Sequence, residues 1–251
     1  MLKSQIFFGL AASVVLAGAA RASDHINLEP GLPLEVEDAY PTGYLNREFQ
    51  LSARYERTAD GKNQYVVDPR LEYGFARNWQ ARINVPFTLG SGDKRGSGDI
   101  GAEIFYNFNT ESLKLPAFAA SVSATAPTGR DSSGLDTSFK LIATKTLGYA
   151  EKLQRVHLNF TYFNNASPRH DERSNRYAAV VGYSQRVGPQ TIFLADYVRQ
   201  QEKQRSMTSN IVEVGLRYQQ TPLTVFSLGL GAGIGNQSPD FRATLGYQRS
   251  F

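Results

Sequence analysis

The sequence contains no cysteine, little excess charge and, beyond its first 22 residues, no apolar run long enough for a helical membrane span. Without cysteine, a small secreted fold held together by disulfides is excluded, and an exported chain avoids mispaired thiols. The mean hydropathy of -0.36 also excludes a bundle of several transmembrane helices. Helical periodicity is missing after residue 46. These absences favour a folded chain made of strands.

The distribution of charge excludes some partners. The formal net charge is +4, from 27 basic and 23 acidic residues that are interspersed along the chain. A nucleic-acid-binding protein usually carries a clustered basic patch, so no nucleic-acid partner is expected. His25, His157 and His170 are too far apart in sequence to form a metal-binding motif. The sequence therefore predicts neither a metal site nor any other cofactor.

The single long apolar run lies at the N-terminus. Lys3 precedes the stretch IFFGLAASVVLAGAA, and a small-residue site follows at Ala20-Arg21-Ala22. This layout is typical of a cleavable secretory signal peptide, here residues 1–22. A membrane anchor helix is the alternative, but it needs roughly 20 apolar residues and the run is shorter.

The residues that follow the signal differ from the rest of the chain. Residues 23–45 contain Pro30, Pro33 and Pro41 together with several acidic residues, and they show no periodicity. This composition predicts an extended periplasmic leader or a plug-like strap. If it is a strap, it enters the barrel described next from the periplasmic side and narrows it.

From residue 46 to residue 251, apolar and polar residues alternate. In REFQLSARYER, for example, Phe49 and Leu51 share one face, and Gln50 and Ser52 share the other. About twelve such segments follow one another, each close to the ~9 to 11 residues that cross a bilayer as a tilted strand. Long polar connections alternate with mostly shorter ones, as in outer-membrane barrels. The sequence thus predicts an all-β fold, a transmembrane antiparallel up-and-down β-barrel of about 12 strands.

Two details fit this pattern poorly. Pro69 and Pro86 fall inside predicted strands, where a missing N–H breaks the ladder, so we interpret both as bulges. In the segment TIFLADYVRQ, the pattern does not decide which face is apolar.

The chain ends in LGYQRSF, which places Tyr247 and Phe251 on the apolar face of the last predicted strand. Aromatic residues collect at the membrane interfaces of barrels, and a last strand ending on Phe resembles the signal that the barrel-assembly machinery recognises. Other aromatic residues predicted near the same end are Tyr73, Trp79, Tyr106 and Phe108. This belt favours contact with outer-membrane lipid over a soluble barrel that encloses a ligand. The oligomeric state is left open.

Three stretches carry a more specific likeness: LEVEDAYPTG, GSGDIGAEIFYNF and ATAPTGRDSSGLDTSF. Together they resemble the outer-membrane transporter family named after the MetA pathway of phenol degradation, over about Glu35 to Phe251. The resemblance implies a barrel in the outer membrane of a Gram-negative bacterium that passes small solutes, aromatic or other hydrophobic compounds among them. It supplies no binding residues.

Apolar faces turned to lipid would leave the polar faces to line a lumen. The lumen-lining candidates are Arg54, Arg70, Glu72, Arg82, Glu103, His157, Glu213, Arg217 and Arg242. Closure would make neighbours of the strands that carry Arg242, Arg54, Arg70 and Arg82. One hypothesis is that this basic strip faces Glu103 and Glu213 across the lumen and filters solutes. The alternative is a lumen that salt bridges pack shut, and a plugged barrel that binds a ligand is a further alternative to a channel.

Two motifs resemble parts of enzyme or cofactor sites, a histidine with nearby serines and a glycine run, but both lack the surrounding residues that such sites require. His157 could pair with Ser184 or Ser121, as in an outer-membrane barrel enzyme of phospholipase type, but neither serine has a recognisable nucleophile setting. The sequence therefore predicts no catalytic residue. The glycine run from Gly229 to Gly235 lacks the helix that dinucleotide binding requires. It predicts a strand with a flat glycine face beside a crowded lumen.

Overall fold

The computed structural model describes residues 26–91, 96–129, 132, 134–148 and 152–251. The signal peptide predicted over residues 1–22 lies outside the described residues. None of the described segments forms a helix of the length and apolarity that a membrane span would need.

Within these residues, twelve antiparallel strands form one closed sheet. Ten are continuous: β1 Arg47–Arg57, β2 Asn63–Ala76, β5 Ala117–Ala126, β6 Asp136–Gly148, β7 Gln154–Asn165, β8 Asn175–Gly188, β9 Thr191–Gln201, β10 Thr208–Thr221, β11 Thr224–Gly233 and β12 Phe241–Ser250. Two consist of two segments each: β3 is Trp79–Asn84 with Phe87–Gly90, and β4 is Gly96–Ser97 with Ile100–Asn107.

The sheet closes because β1 pairs on both sides. Every strand pairs with the next one along the chain, and β12 pairs with β1 in a register that runs from Glu48↔Ser250 to Arg57↔Phe241. Lipid offers no hydrogen-bonding partner, so a sheet that crosses it must leave no open edge. The predicted up-and-down barrel of about 12 strands is confirmed.

The two faces of the barrel differ as the alternation predicts. Outward side chains are apolar and exposed, such as Leu228 at 47% and Leu245 at 61% relative exposure, whereas inward side chains such as Gln50 and Glu213 are buried at 0% and 1%. A soluble barrel around a ligand would show the opposite arrangement, so that alternative is wrong. The exterior matches a hydrocarbon environment and the lumen is polar.

The aromatic belt lies at the end with the shorter connections, which is the periplasmic end in outer-membrane barrels. The ring centroids of Trp79 and Tyr106 are 4.4 Å apart, and those of Phe226 and Tyr247 are 5.5 Å apart. The N–H of Phe251 donates to the carbonyl of Arg47 at 3.0 Å, which ties the chain end into the closing pair of strands. The role of Tyr247 and Phe251 as an assembly signal stays a prediction.

Both strand prolines lie where the ladder is interrupted. Pro86 falls between the two segments of β3, and its carbonyl accepts from the N–H of Gly98 at 2.7 Å, at the interruption of β4. The carbonyl of Pro69 accepts from the N–H of Val85 at 3.3 Å, so its missing N–H faces the same gap. A bulge at Pro86 is wrong in its location, because β3 keeps one register with β2 from Asn84↔Arg70 to Phe87↔Val67 and the extra residue lies opposite, in β4. A bulge at Pro69 is wrong, because Pro69 keeps a regular register with Leu51.

The segment TIFLADYVRQ, whose apolar face the sequence did not decide, forms β9. Both of its faces carry apolar side chains. Phe193 and Tyr197 point outward, while Ile192, Leu194 and Val198 point into the lumen and are buried. The inward residues belong to an apolar cluster inside the barrel. Periodicity could not separate the two faces because each one contacts apolar groups.

We expect an arginine at the middle of the lipid face to destabilise the barrel far more than one near its rim. Leu228→Arg should lower the free energy of unfolding by about 2 to 4 kcal/mol, whereas Ala232→Arg, on the same face of β11 near its end, should cost about 0 to 1 kcal/mol. Urea unfolding in phospholipid vesicles measures both. Equal effects would contradict a membrane-spanning orientation of β11.

Candidate functional site

A stretch of chain runs inside the barrel before β1 begins. Residues 26–46, here called the luminal segment, double back on themselves, since the N–H of Gly31 donates to the carbonyl of Leu34 at 2.5 Å and that of Asp38 to Leu28 at 3.2 Å. This is where the structure places the leader predicted over residues 23–45, from Ile26 onward. The segment carries four acidic residues and no lysine or arginine.

Wall side chains hold the backbone of the luminal segment. Four of them accept from its N–H groups at 2.6 to 2.9 Å: Asp196 from Val36, Asn159 from Glu37, Thr144 from Ala39 and Gln80 from Thr42. The guanidinium of Arg217 donates to the carbonyl of Leu32 at 2.7 Å. A buried backbone outside regular structure must satisfy its polar groups in this way. The polar inward faces of the strands supply those partners.

Arg82 connects the luminal segment to the wall. Its guanidinium contacts four carboxylates: Glu103 at 2.9 Å, Glu37 at 3.2 Å, and also Glu72 and Glu29. Glu29 and Glu37 belong to the segment, and Glu72 and Glu103 to the neighbouring strands β2 and β4. The side chain of Arg82 is buried away from water, so the four carboxylates must compensate its charge.

A second cluster surrounds Glu35 of the luminal segment. Glu35 lies 2.5 Å from Arg54 and 3.5 Å from Arg242. Arg242 also contacts two wall acids, Glu56 at 2.8 Å and Glu213 at 3.3 Å. Arg54 and Arg242 are on adjacent strands, as closure predicted.

The acids do not face the basic strip across the lumen, so that part of the filter hypothesis is wrong. Glu103 lies directly opposite Arg82 in the register of β3 and β4. Glu213 reaches Arg242 across Gly231, which has no side chain to separate them. Antiparallel pairing brings opposite charges side by side, and the lumen is salt-bridged rather than divided into two charged walls.

Arg70, the remaining member of the basic strip, also has partners in the structure. Its Nε donates to Asp68 at 2.8 Å, and its Nη1 donates to the carbonyl of Pro30 in the luminal segment. All five arginines among the predicted lumen-lining residues therefore contact the luminal segment: Arg54, Arg70, Arg82, Arg217 and Arg242.

The side chains of His157 and Ser184 are brought together, with Nε2 and Oγ 2.9 Å apart. The other ring nitrogen lies 3.1 Å from the hydroxyl of Thr144, which also accepts from the luminal segment. The hydroxyl of Ser121 instead donates a hydrogen bond to Glu103 at 3.2 Å. A lipid hydrolase needs its hydroxyl within reach of lipid. Here the pair is buried on the luminal side, where it packs behind the segment.

Glycines on the wall make room for the luminal segment. A Cβ on Gly182 would lie 2.3 Å from Cγ2 of Val36, and one on Gly229 would lie 2.9 Å from Cδ2 of Leu34. Gly215 and Gly246 likewise face the segment at close range. Within the run Gly229–Gly235, Gly229 faces the segment, Gly231 faces Glu213 and Gly233 faces Ser238, so the flat face beside a crowded lumen is confirmed at Gly229 and Gly231 and only partly owed to the segment.

Sequence reasoning missed several residues that hold the segment. Lys140 lies 2.6 Å from Glu37, and the hydroxyl of Tyr40 donates to Glu111 at 3.1 Å. Burial raises the pKa of the Glu111 carboxyl, but hydrogen bonds from Lys145 and Thr146 outweigh this effect and hold the pKa at about 2. The acidic composition of residues 23–45 requires basic partners on the wall and could have indicated Lys140, but no sequence signal indicates Glu111.

The described residues include no group of three or more histidine, aspartate or glutamate side chains that could hold a metal ion. Glu35, Glu37, Glu72, Glu103 and Glu213 each pair instead with arginine or lysine groups.

A closed barrel with an apolar exterior, an aromatic belt and a polar lumen defines an outer-membrane β-barrel protein. The chain belongs to the family described as "Putative MetA-pathway of phenol degradation", whose model matches residues 66–251. The predicted resemblance is confirmed. No curated protein matches the sequence significantly.

Solved structures share the fold at low sequence identity. The COG4313 outer membrane channel from Pseudomonas putida F1 has a TM-score of 0.67 and 16% identity, over 90% of this chain and 100% of that one. The KdgM porin has a TM-score of 0.59 and 11% identity, over 81% of this chain and 99% of that one. The NanC porin has a TM-score of 0.58 and 11% identity, over 82% and 100%. These neighbours are channels and porins, and the fold points to the outer membrane of Gram-negative bacteria.

Removing the charge of Arg82 should destabilise the protein strongly. Arg82→Gln leaves four carboxylates around an uncharged side chain, and we expect a loss of about 3 to 5 kcal/mol in the free energy of unfolding. The control is Arg57→Gln, whose exposed pair with Asp240 at 3.5 Å should contribute about 0 to 1 kcal/mol. Urea unfolding compares them, and similar small losses would contradict the role given to Arg82.

A paired substitution tests the contact between Gly182 and Val36. Gly182→Ala should lower the free energy of unfolding by about 1 to 3 kcal/mol, because the new methyl group overlaps Val36. Adding Val36→Ala should recover most of that loss, so the double variant is more stable than the two single effects predict. Strict additivity would show that the luminal segment does not pack there.

Proposed function

We propose that this protein is an outer-membrane channel for small solutes whose opening is controlled by the luminal segment. The observation that carries the proposal is the placement of residues 26–42 inside a closed barrel, where they contact the walls on several strands. A solute that crosses the barrel must pass this segment.

Two features support a segment that moves rather than a permanent stopper. It contributes no strand to the sheet, and its contacts with the barrel are largely side-chain hydrogen bonds, ion pairs and apolar packing. It is also continuous with β1, so it can leave the lumen and return without dissociating. Segments held in this way open at a lower free energy than the strands themselves.

The solutes expected from the family likeness are small aromatic or other hydrophobic compounds. The lumen supports this expectation in part, since apolar side chains of β8, β9 and β10 face inward beside the charged clusters. We favour a channel over a phospholipase-type enzyme, because His157 and Ser184 are buried behind the luminal segment.

Deletion of residues 26–43 should increase conductance. The wild-type barrel, refolded into a planar bilayer, should show small or infrequent openings, and the deleted variant should conduct at least several-fold more, because the segment no longer fills the lumen. Slower migration on SDS gels after heating serves as the check that both barrels are folded. A folded deletion variant with wild-type conductance would contradict the proposal.

A further inference from the structure

We infer that the wall around Leu34, Glu35 and Val36 is a binding site for a carboxylate attached to an apolar chain or ring, and that the luminal segment occupies it as an internal competitor. The inference rests on the proposed function, because a solute reaches this wall only when the segment gives way. It goes further by naming the chemical class of the ligand and the residues that bind it.

The charged half of the site is Arg54. Among the described residues, Glu35 is the carboxylate paired with Arg54, at 2.5 Å, and Thr244 accepts a longer hydrogen bond at 3.4 Å. Arg242 differs, because wall acids Glu56 and Glu213 would still compensate its charge without the segment. Withdrawal of the segment thus leaves Arg54 without the one carboxylate that it pairs with directly, while the wall acid Glu213 acts on it only from a greater distance. Such a group favours an incoming carboxylate.

The apolar half of the site receives the two residues that flank Glu35. Leu34 and Val36 are both buried, and they pack on inward side chains of three adjacent strands: Val180, Ile192, Leu194, Val198 and Ile211. Most other inward side chains of the barrel are polar. Withdrawal of the segment would expose this patch to water, which is unfavourable unless another apolar group covers it.

The two halves together select the ligand. A sugar or other purely polar solute would leave the apolar patch in contact with water, and a neutral hydrocarbon would leave Arg54 without a counter-charge. An amphiphilic cation would find Asp196 between Leu194 and Val198 at the patch, but it would meet Arg54 with the wrong sign. A carboxylate on an apolar group satisfies both, just as Glu35 does between Leu34 and Val36.

The test measures equilibrium binding of radiolabelled hexanoate to the refolded protein in nanodiscs, with empty nanodiscs as the blank. Hexanamide, which has the same shape without the charge, is the ligand control. We expect hexanoate to bind and hexanamide to bind at least about tenfold more weakly, since a hydrogen bond to a charged group is lost.

Variants at the two partners should shift affinity in opposite directions. Arg54→Gln should weaken hexanoate binding by about tenfold or more, and Arg54→Lys should retain most of it. Glu35→Gln should strengthen binding by about tenfold, because a weaker internal competitor leaves more of the protein in the competent state. Arg57→Gln, on the outward face of the same strand, should have no effect.

The outcomes separate this inference from the proposed function. Equal affinity for hexanoate and hexanamide, or a loss of binding in both Glu35→Gln and Arg54→Gln, would overturn the site, because a purely structural ion pair fails alike when either partner is removed. If the variant lacking residues 26–43 conducts but no variant binds hexanoate, the channel stands and the site is wrong. If hexanoate binds as expected but no form conducts, the site stands and the channel is wrong.

Discussion

Closure between β1 and β12 is the constraint on which the rest of this structure depends. In lipid, each unpaired backbone group would cost several kcal/mol, so the sheet must pair its first strand with its last. Closure assigns one face of every strand to lipid and the other to the lumen. The polar side chains that cannot face hydrocarbon are thereby collected inside the barrel, where water is limited and each charge requires a partner.

The luminal segment supplies some of the partners that the charged side chains inside the barrel require. It contributes acids where the wall contributes arginine and lysine, as at Arg82 and Arg54. Opposite charges in an enclosed lumen attract more strongly than on a surface, but their desolvation offsets much of the gain. The net contribution of these ion pairs to holding the segment is therefore smaller than their number suggests, which is consistent with the movable element that we propose.

The alternation of apolar and polar residues predicted side-chain orientation correctly wherever lipid lies on one face of a strand and a polar lumen on the other. The alternation in β1 and β12 predicted which side chains face lipid, since hydrocarbon on one side and a polar lumen on the other demand opposite chemistry. It failed at β9, where Leu194 faces the apolar part of the luminal segment. It also misplaced Glu103 and Glu213, because the partner of a charge depends on register and on whether a glycine such as Gly231 lies between the strands.

Periodicity and short motifs were enough to predict the class of fold, most of the lipid-facing residues, the aromatic belt and the family. They could not predict that Arg82 contacts four carboxylates, that Glu35 pairs with Arg54, or that His157 meets Ser184. Those contacts join residues distant in the chain. They exist only once the barrel has closed and a segment without periodicity has taken its place inside, and no local pattern encodes that placement.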